Sequence, residues 1–148
     1  MAISQAMCTS FKVNLLQGAQ NFNTGTTKVY KIALFTSAAT LGAGTTTYSG
    51  STTGEVSSSG TGYTTGGEVL TVSQIPTDGG SGTTAFIDFD DVTWVAATIT
   101  ARGALIYNST DDTAVAVLDF GSDKTSTNGN FTIIFPAATN TTAIIRIA

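Results

Sequence analysis

TWVAATITARGALIYNSTDDTAVAVLDFGSD, residues Thr93–Asp123, is the stretch on which the fold turns. Two apolar runs, Thr98–Tyr107 and Thr113–Phe120, flank the polar turn Asn108–Asp112, which is the pattern of a β-hairpin. Alternation sets Ile99, Ala101, Leu105 and Tyr107 on one face of the first strand, and Thr98, Thr100, Arg102 and Ile106 on the other. In the second strand Ala114, Ala116, Leu118 and Phe120 oppose Val115, Val117 and Asp119. Both faces of that strand are largely apolar, which predicts a place near the middle of a sandwich with cover on both sides. Arg102 interrupts an apolar strand and needs an acid or a carbonyl. Asp119 on the partner strand is the natural candidate for a structural ion pair fixing hairpin register or an interface.

Working upstream, Thr84–Phe89 reads as a strand with Ala85, Ile87 and Phe89 alternating against Phe86 and Asp88. Glu68–Ile75 reads as another, closed by a turn at Pro76 and Asp78-Gly79-Gly80. Lys28–Phe35 is a further strand after the polar loop Asn21–Thr27. Between these lies Thr36–Gly67, a long Thr/Ser/Gly-rich surface loop anchored by Tyr48, Val56 and Tyr63, with Glu55–Ser57 as its best strand. A loop of that length on a compact domain predicts contact with a partner. At the N-terminus Ser4 is placed to cap a helix in which Ile3, Met7, Phe11 and Leu15 fall four apart, with Gly18 ending it. Residues 1–20 then form a helical arm that packs on its own domain or docks on another subunit.

Downstream, a turn at Asp123–Asn130 leads to a strand at Phe131–Phe135, closed by Pro136, and a last strand at Ala143–Ile147. The fold class is mainly β: an antiparallel β-sandwich or flattened barrel of about seven or eight short strands with one short N-terminal helix. Residues 1–148 form a single domain, long enough to bury a core. No repeat of fixed period is present.

Composition narrows the function classes. Charged residues make up 11% of the chain, the formal net charge is −4 and the pI is near 4.3, with 6 scattered Lys and Arg residues. Nucleic-acid binding needs clustered cations to displace counterions, so nucleic acid is not expected as a partner. The chain has no His, which removes the usual general base, the Ser-His-Asp and Cys-His arrangements and the commonest zinc ligand. Asp88, Asp90 and Asp91 in FIDFDD, with Asp111 and Asp112, are the remaining candidates for a divalent ion or for paired acids. Acids at a strand end and in a turn more often bond backbone amides. No catalytic residue, metal ligand or cofactor is therefore expected, and the chain is not read as an enzyme. Cys8 stands alone and reads as a small buried hydrophobe. No basic segment precedes an apolar run at the N-terminus, and no segment has the apolar length of a bilayer span, so neither a secretion signal nor a membrane partner is expected. Trp94 reads as a core anchor or an interface residue; Phe11, Leu15, Tyr48 and Tyr63 join it as candidate interface residues.

The run T-W-x-x-A-T-I-T-A-R-G-A-x-I-Y-N at Thr93–Asn108 resembles small structural proteins of tailed bacteriophage virions. So do A-V-x-D-F-G-S-D around Val117–Asp123, G-T-G-Y-T-x-G-G at Gly60–Gly67, the closing I-I-R-I-A and the opening M-A-I-S-Q-A-M-C-T-S-F-K. The resemblance covers most of the chain and implies assembly into a particle more strongly than any one position in it. Within that class the expectation is a capsid decoration, or cement, protein. It would be homotrimeric, made in the host cytoplasm and seated on the outer surface of the capsid, where it binds the major capsid protein. A tail- or fibre-associated component, or a host-glycan adsorption domain with Trp94, Tyr48 and Tyr63 as test residues, is the alternative.

Overall fold

The structure is a computed structural model describing residues 2–80 and 82–148. Its elements are β1 (Ala6–Met7), α1 (Thr9–Leu16), β2 (Tyr30–Phe35), β3 (Glu68–Val69), β4 (Val72–Thr77), β5 (Ala85–Phe89), β6 (Val92–Asn108), β7 (Thr113–Ile133) and β8 (Ile145–Ile147), with a 3₁₀ turn at Ser49–Ser51. The strands form two antiparallel sheets, one ordered β1-β7-β6-β2-β3 and the other β4-β5-β8. This is a mainly β architecture of the sandwich type with one short helix near the N-terminus. Ile32, Leu34, Phe35, Leu105, Ile106, Val115 and Val117 are fully buried at its centre.

The hairpin β6–β7 is the spine. It pairs from Asn108↔Thr113 at the turn to Val92↔Ile133 at the far end. The second strand is therefore much longer than Thr113–Phe120, and Asp123–Asn130 is not a turn but the middle of β7. Gly, Ser, Asn and Thr at these positions read as turn chemistry, yet the long apolar partner β6 offers a ladder that the backbone accepts whatever its side chains. The irregularity is absorbed by register shifts: Gly103 faces Asp119 whereas Ala101 faces Lys124, so the residues between them bulge, with Gly121 at φ +74°.

Residues 2–8 are extended, and the helix starts at Thr9 rather than under a Ser4 cap. The four-residue spacing from Ile3 to Leu15 is real, but only Phe11 and Leu15 use it in a helix. Ser4 N donates to Leu41 O, Leu41 N to Ala2 O and Cys8 N to Val115 O, so this segment satisfies two neighbouring backbones. A short isolated helix, marginal by itself, loses to that pairing. At the other end Gly18 (φ +70°) closes the helix as expected. Gly18 N donates to Leu15 O and Ala19 N to Asn14 O, the paired bonds of a Schellman motif.

Glu68–Ile75 is likewise not one strand. It divides into β3 on β2 and β4 on β5, and the chain crosses from one sheet to the other around buried Leu70. Pro76 lies within β4 rather than in the turn; β4 is an outer strand with a register shift there, where a missing N–H is tolerated.

Candidate functional site

The loop Thr36–Gly67 is fastened along its length. Glu55 makes the fastening: Tyr63 Oη and Gly66 N donate to Oε1, and Tyr48 Oη donates to Oε2, each at 2.7 Å. Leu34 N donates to Tyr63 Oη, Tyr107 Oη donates to Gly66 O, and the Tyr48 and Tyr107 rings stack with centroids 4.4 Å apart. Burial together with the Glu55 carboxylate raises the Tyr48 and Tyr63 hydroxyls above the usual phenol range, and burial pushes Tyr107 up to about 12. Gly67 (φ +71°) lies so close to β2 that a Cβ would sit 1.8 Å from Ile32 O. Farther out, Thr98 N donates to Thr61 O, so the loop covers the part of β6 that β2 does not reach. The strand expected at Glu55–Ser57 is a single bridge between Glu55 and Phe35.

This placement changes the reading of the aromatic candidates. Phe11, Tyr63 and Trp94 are core side chains, almost fully buried within their own chain; Tyr63 and Trp94 offer no surface to a partner or a sugar, and Phe11 only backs an apolar recess beside α1. Trp94 packs edge-on to Phe131 and tilted against Tyr63. Tyr48 and Leu15 are half-buried. Arg102 and Asp119 are brought together, with Arg102 Nε donating to Asp119 Oδ1 at 3.1 Å. Cys8 is fully buried, and burial pushes its thiol up to about 11.

The acids of FIDFDD diverge instead of converging. Asp88 is buried and accepts from Phe89 N, Asp91 accepts from Phe135 N at 2.8 Å, and Asp90 is exposed. Asp112 accepts from Tyr48 N, Ser49 N and Ser49 Oγ, while Asp111 pairs with Lys28. Among the described residues no group of three or more His, Cys, Asp or Glu side chains comes together as a metal site. Asp88, Asp91 and Asp112 serve local backbone amides, and Asp111 serves a neighbouring cation.

The surface with the character of a binding site is the side of the molecule where the outer strands β1 and β8 approach each other. An open cavity of about 300 Å³ lies there, lined by Met7, Lys12, Leu15, Leu16, Arg146 and Ile147. It adjoins, through Leu15 and Ile147, an apolar recess of about 100 Å³ between α1 and the smaller sheet. Just before these two strands, Gln5 and Ile144 line a wider groove of about 600 Å³ that Leu118, Phe120 and Phe131 also line. Leu16 is 91% exposed and Ile147 51%, and Val13 stands exposed one turn before Leu16. Sequence reading found the helix as a candidate contact but missed Leu16, Arg146 and Ile147, because the C-terminal strand reads as ordinary core and nothing in the local pattern marks its outer edge as open.

No protein-family model, curated protein or solved structure matches the chain. Among the described residues no helix is long and apolar enough to cross a membrane.

Proposed function

We propose that this chain is a structural protein of a tailed-bacteriophage virion, with a binding rather than a catalytic role. Within the particle it acts as a capsid decoration protein on the outer surface of the head, as a homotrimer that binds the major capsid protein and ties neighbouring subunits together. The observation that carries the assembly reading is the open β1–α1–β8 side, where Leu16, Val13 and Ile147 present apolar surface to solvent beside two cations. Contiguous apolar surface of this kind marks a protein contact. The resemblance noted at Thr93–Asn108 and Gly60–Gly67 supplies the particle, and these runs fall on β6 and on the end of the Glu55-fastened loop.

The test is the copy number in purified particles, with sedimentation of the isolated protein for the trimer. Hundreds of copies per particle, lost when Leu16→Asp is supplied in place of wild type, supports decoration. A dozen or fewer copies moves the protein to the tail, and absence from particles refutes the virion reading.

A further inference from the structure

We propose that the cleft bounded by β1, α1 and β8 receives an extended apolar segment of a partner protein, flanked by acidic residues and added as a strand to β8. The proposal deepens the assembly reading by naming what the partner presents. Among the described residues β8 pairs on one side only, with β5, at Ala85↔Ile147, Phe86↔Arg146 and Ile87↔Ile145. An outer strand of this kind is a template for one more strand, whose alternate side chains need pockets. The recess lined by Phe11, Leu15 and Ile147 lies beside it and is apolar.

Charge selects the occupant. The chain carries a net charge of −4, yet the cavity lining holds Lys12 and Arg146 and no acid. Among the described residues the ion pairs are Lys28–Asp111 and Arg102–Asp119, so neither of these two cations is neutralised by a carboxylate. Arg146 donates to Thr141 O and Lys12 is exposed. An incoming strand with carboxylates at its ends meets both cations at the rim while its apolar centre fills the recess. The apolar and acidic run Phe86–Asp91 of a second copy is already built into β5 and the residues just after it, so that run is not available to the cleft.

The experiment titrates the full chain with a nonapeptide that alternates Val or Ile with Thr and carries Asp and Glu at both ends. A control peptide carries Lys at those ends. Fluorescence anisotropy reads affinity, and amide chemical shifts read position. The acidic-ended peptide is expected to bind, to shift Met7, Leu15, Leu16 and Ile145–Ile147, and to weaken with salt. The double variant Lys12→Glu with Arg146→Glu, both exposed positions, should lose at least about tenfold in affinity and take up the Lys-ended peptide instead. Equal affinity for the two peptides, no binding of either, or shifts confined to another face would overturn the proposal. So would concentration-dependent self-association abolished by Leu16→Asp, which would make a second copy the occupant, and so would the same shifts on vesicles of anionic lipid without peptide binding. Failure here with hundreds of copies per particle removes the segment but leaves the virion role. Peptide binding by a protein absent from particles does the reverse.

Discussion

Two aspartates sit in opposite electrostatic circumstances and predict opposite responses to pH. Asp119 accepts from Gly121 N at 2.9 Å and from Arg102 Nε, and these bonds, the backbone one first, hold its carboxyl below the usual range. The unfolded chain therefore binds the proton first. The stability contributed by Asp119 is complete above the unfolded value near ~4 and is lost as pH falls through the lower folded value. Asp119→Asn should melt below wild type at neutral pH, with the gap closing in acid. Burial of Asp88, by contrast, outweighs its bonds from the Phe89 and Ile144 amides and raises its carboxyl. The folded chain then holds the proton longer, and stability falls as pH rises from about 4 through the folded value. Asp88→Asn keeps an acceptor oxygen and should abolish that fall, melting at or above wild type at neutral pH; a lower melting temperature there would contradict the assignment. Arg102→Ala is expected to lower the melting temperature where Lys124→Ala, whose ammonium donates to the exposed Ser122 Oγ, leaves it unchanged. Equal values for the two would refute a structural role for the pair. Arg102 and Asp119 were legible in sequence because a guanidinium in an apolar strand demands a partner. The Gly121 amide was not, since it depends on a bulge that only the tertiary register creates.

At the scale of the element, the loop Thr36–Gly67 shows what composition conceals. Its small polar residues suggest a free excursion, but one carboxylate collects two phenols and an amide and ties the segment to β2 and β6. Replacing Glu55 with Ala leaves the buried Tyr63 hydroxyl without its acceptor. It should cost about 2–3 kcal/mol in urea unfolding, with a smaller loss for Glu55→Gln, which keeps one oxygen. Limited proteolysis gives the independent readout: cleavage within residues 36–67 should appear in Glu55→Ala under conditions where wild type stays intact, and an unchanged digestion pattern would show that the clasp is not what holds the loop. The signal was present in sequence, since Tyr48, Glu55 and Tyr63 fall within one Gly-rich stretch, but no local period brings them together. The same limit explains the helix and the long strand. Local spacing identified Phe11, Leu15 and Gly18 correctly, whereas Ile3 and Met7 follow the backbone pairing available at Leu41 and β7. Asp123–Asn130 has turn composition and strand geometry for the same reason, its partner lying across the hairpin.

For the whole molecule the topology predicts a gradient of stability that runs outward from the hairpin. β6 near Gly103–Asn108 lies between β7 and β2, and Leu105, Ile106, Val115 and Val117 are fully buried around it. Opening that region exposes the densest apolar surface in the chain and breaks two ladders at once. The smaller sheet is different: β8 is three residues long, pairs on one side, and has Arg146 and Ile147 exposed. Its release breaks one short ladder and uncovers mainly Ile145. Regions with few buried apolar contacts open locally at low free energy, whereas the centre opens only with the global transition. Native-state hydrogen exchange should therefore find the slowest amides at Ala104–Tyr107 and Val115–Val117, limited by global unfolding, and faster exchange at Ile145–Ile147 that is insensitive to mild denaturant. Occupancy of the cleft beside β8 by an added strand should slow exchange at Ile145–Ile147, because their local opening competes with binding, and should slow the hairpin centre by the same factor, because global unfolding also releases the segment. Protection at β8 equal to that of β6 in the free chain would mean that the two sheets open as one unit, and an outer strand so firmly held would no longer distinguish the docking side from the core.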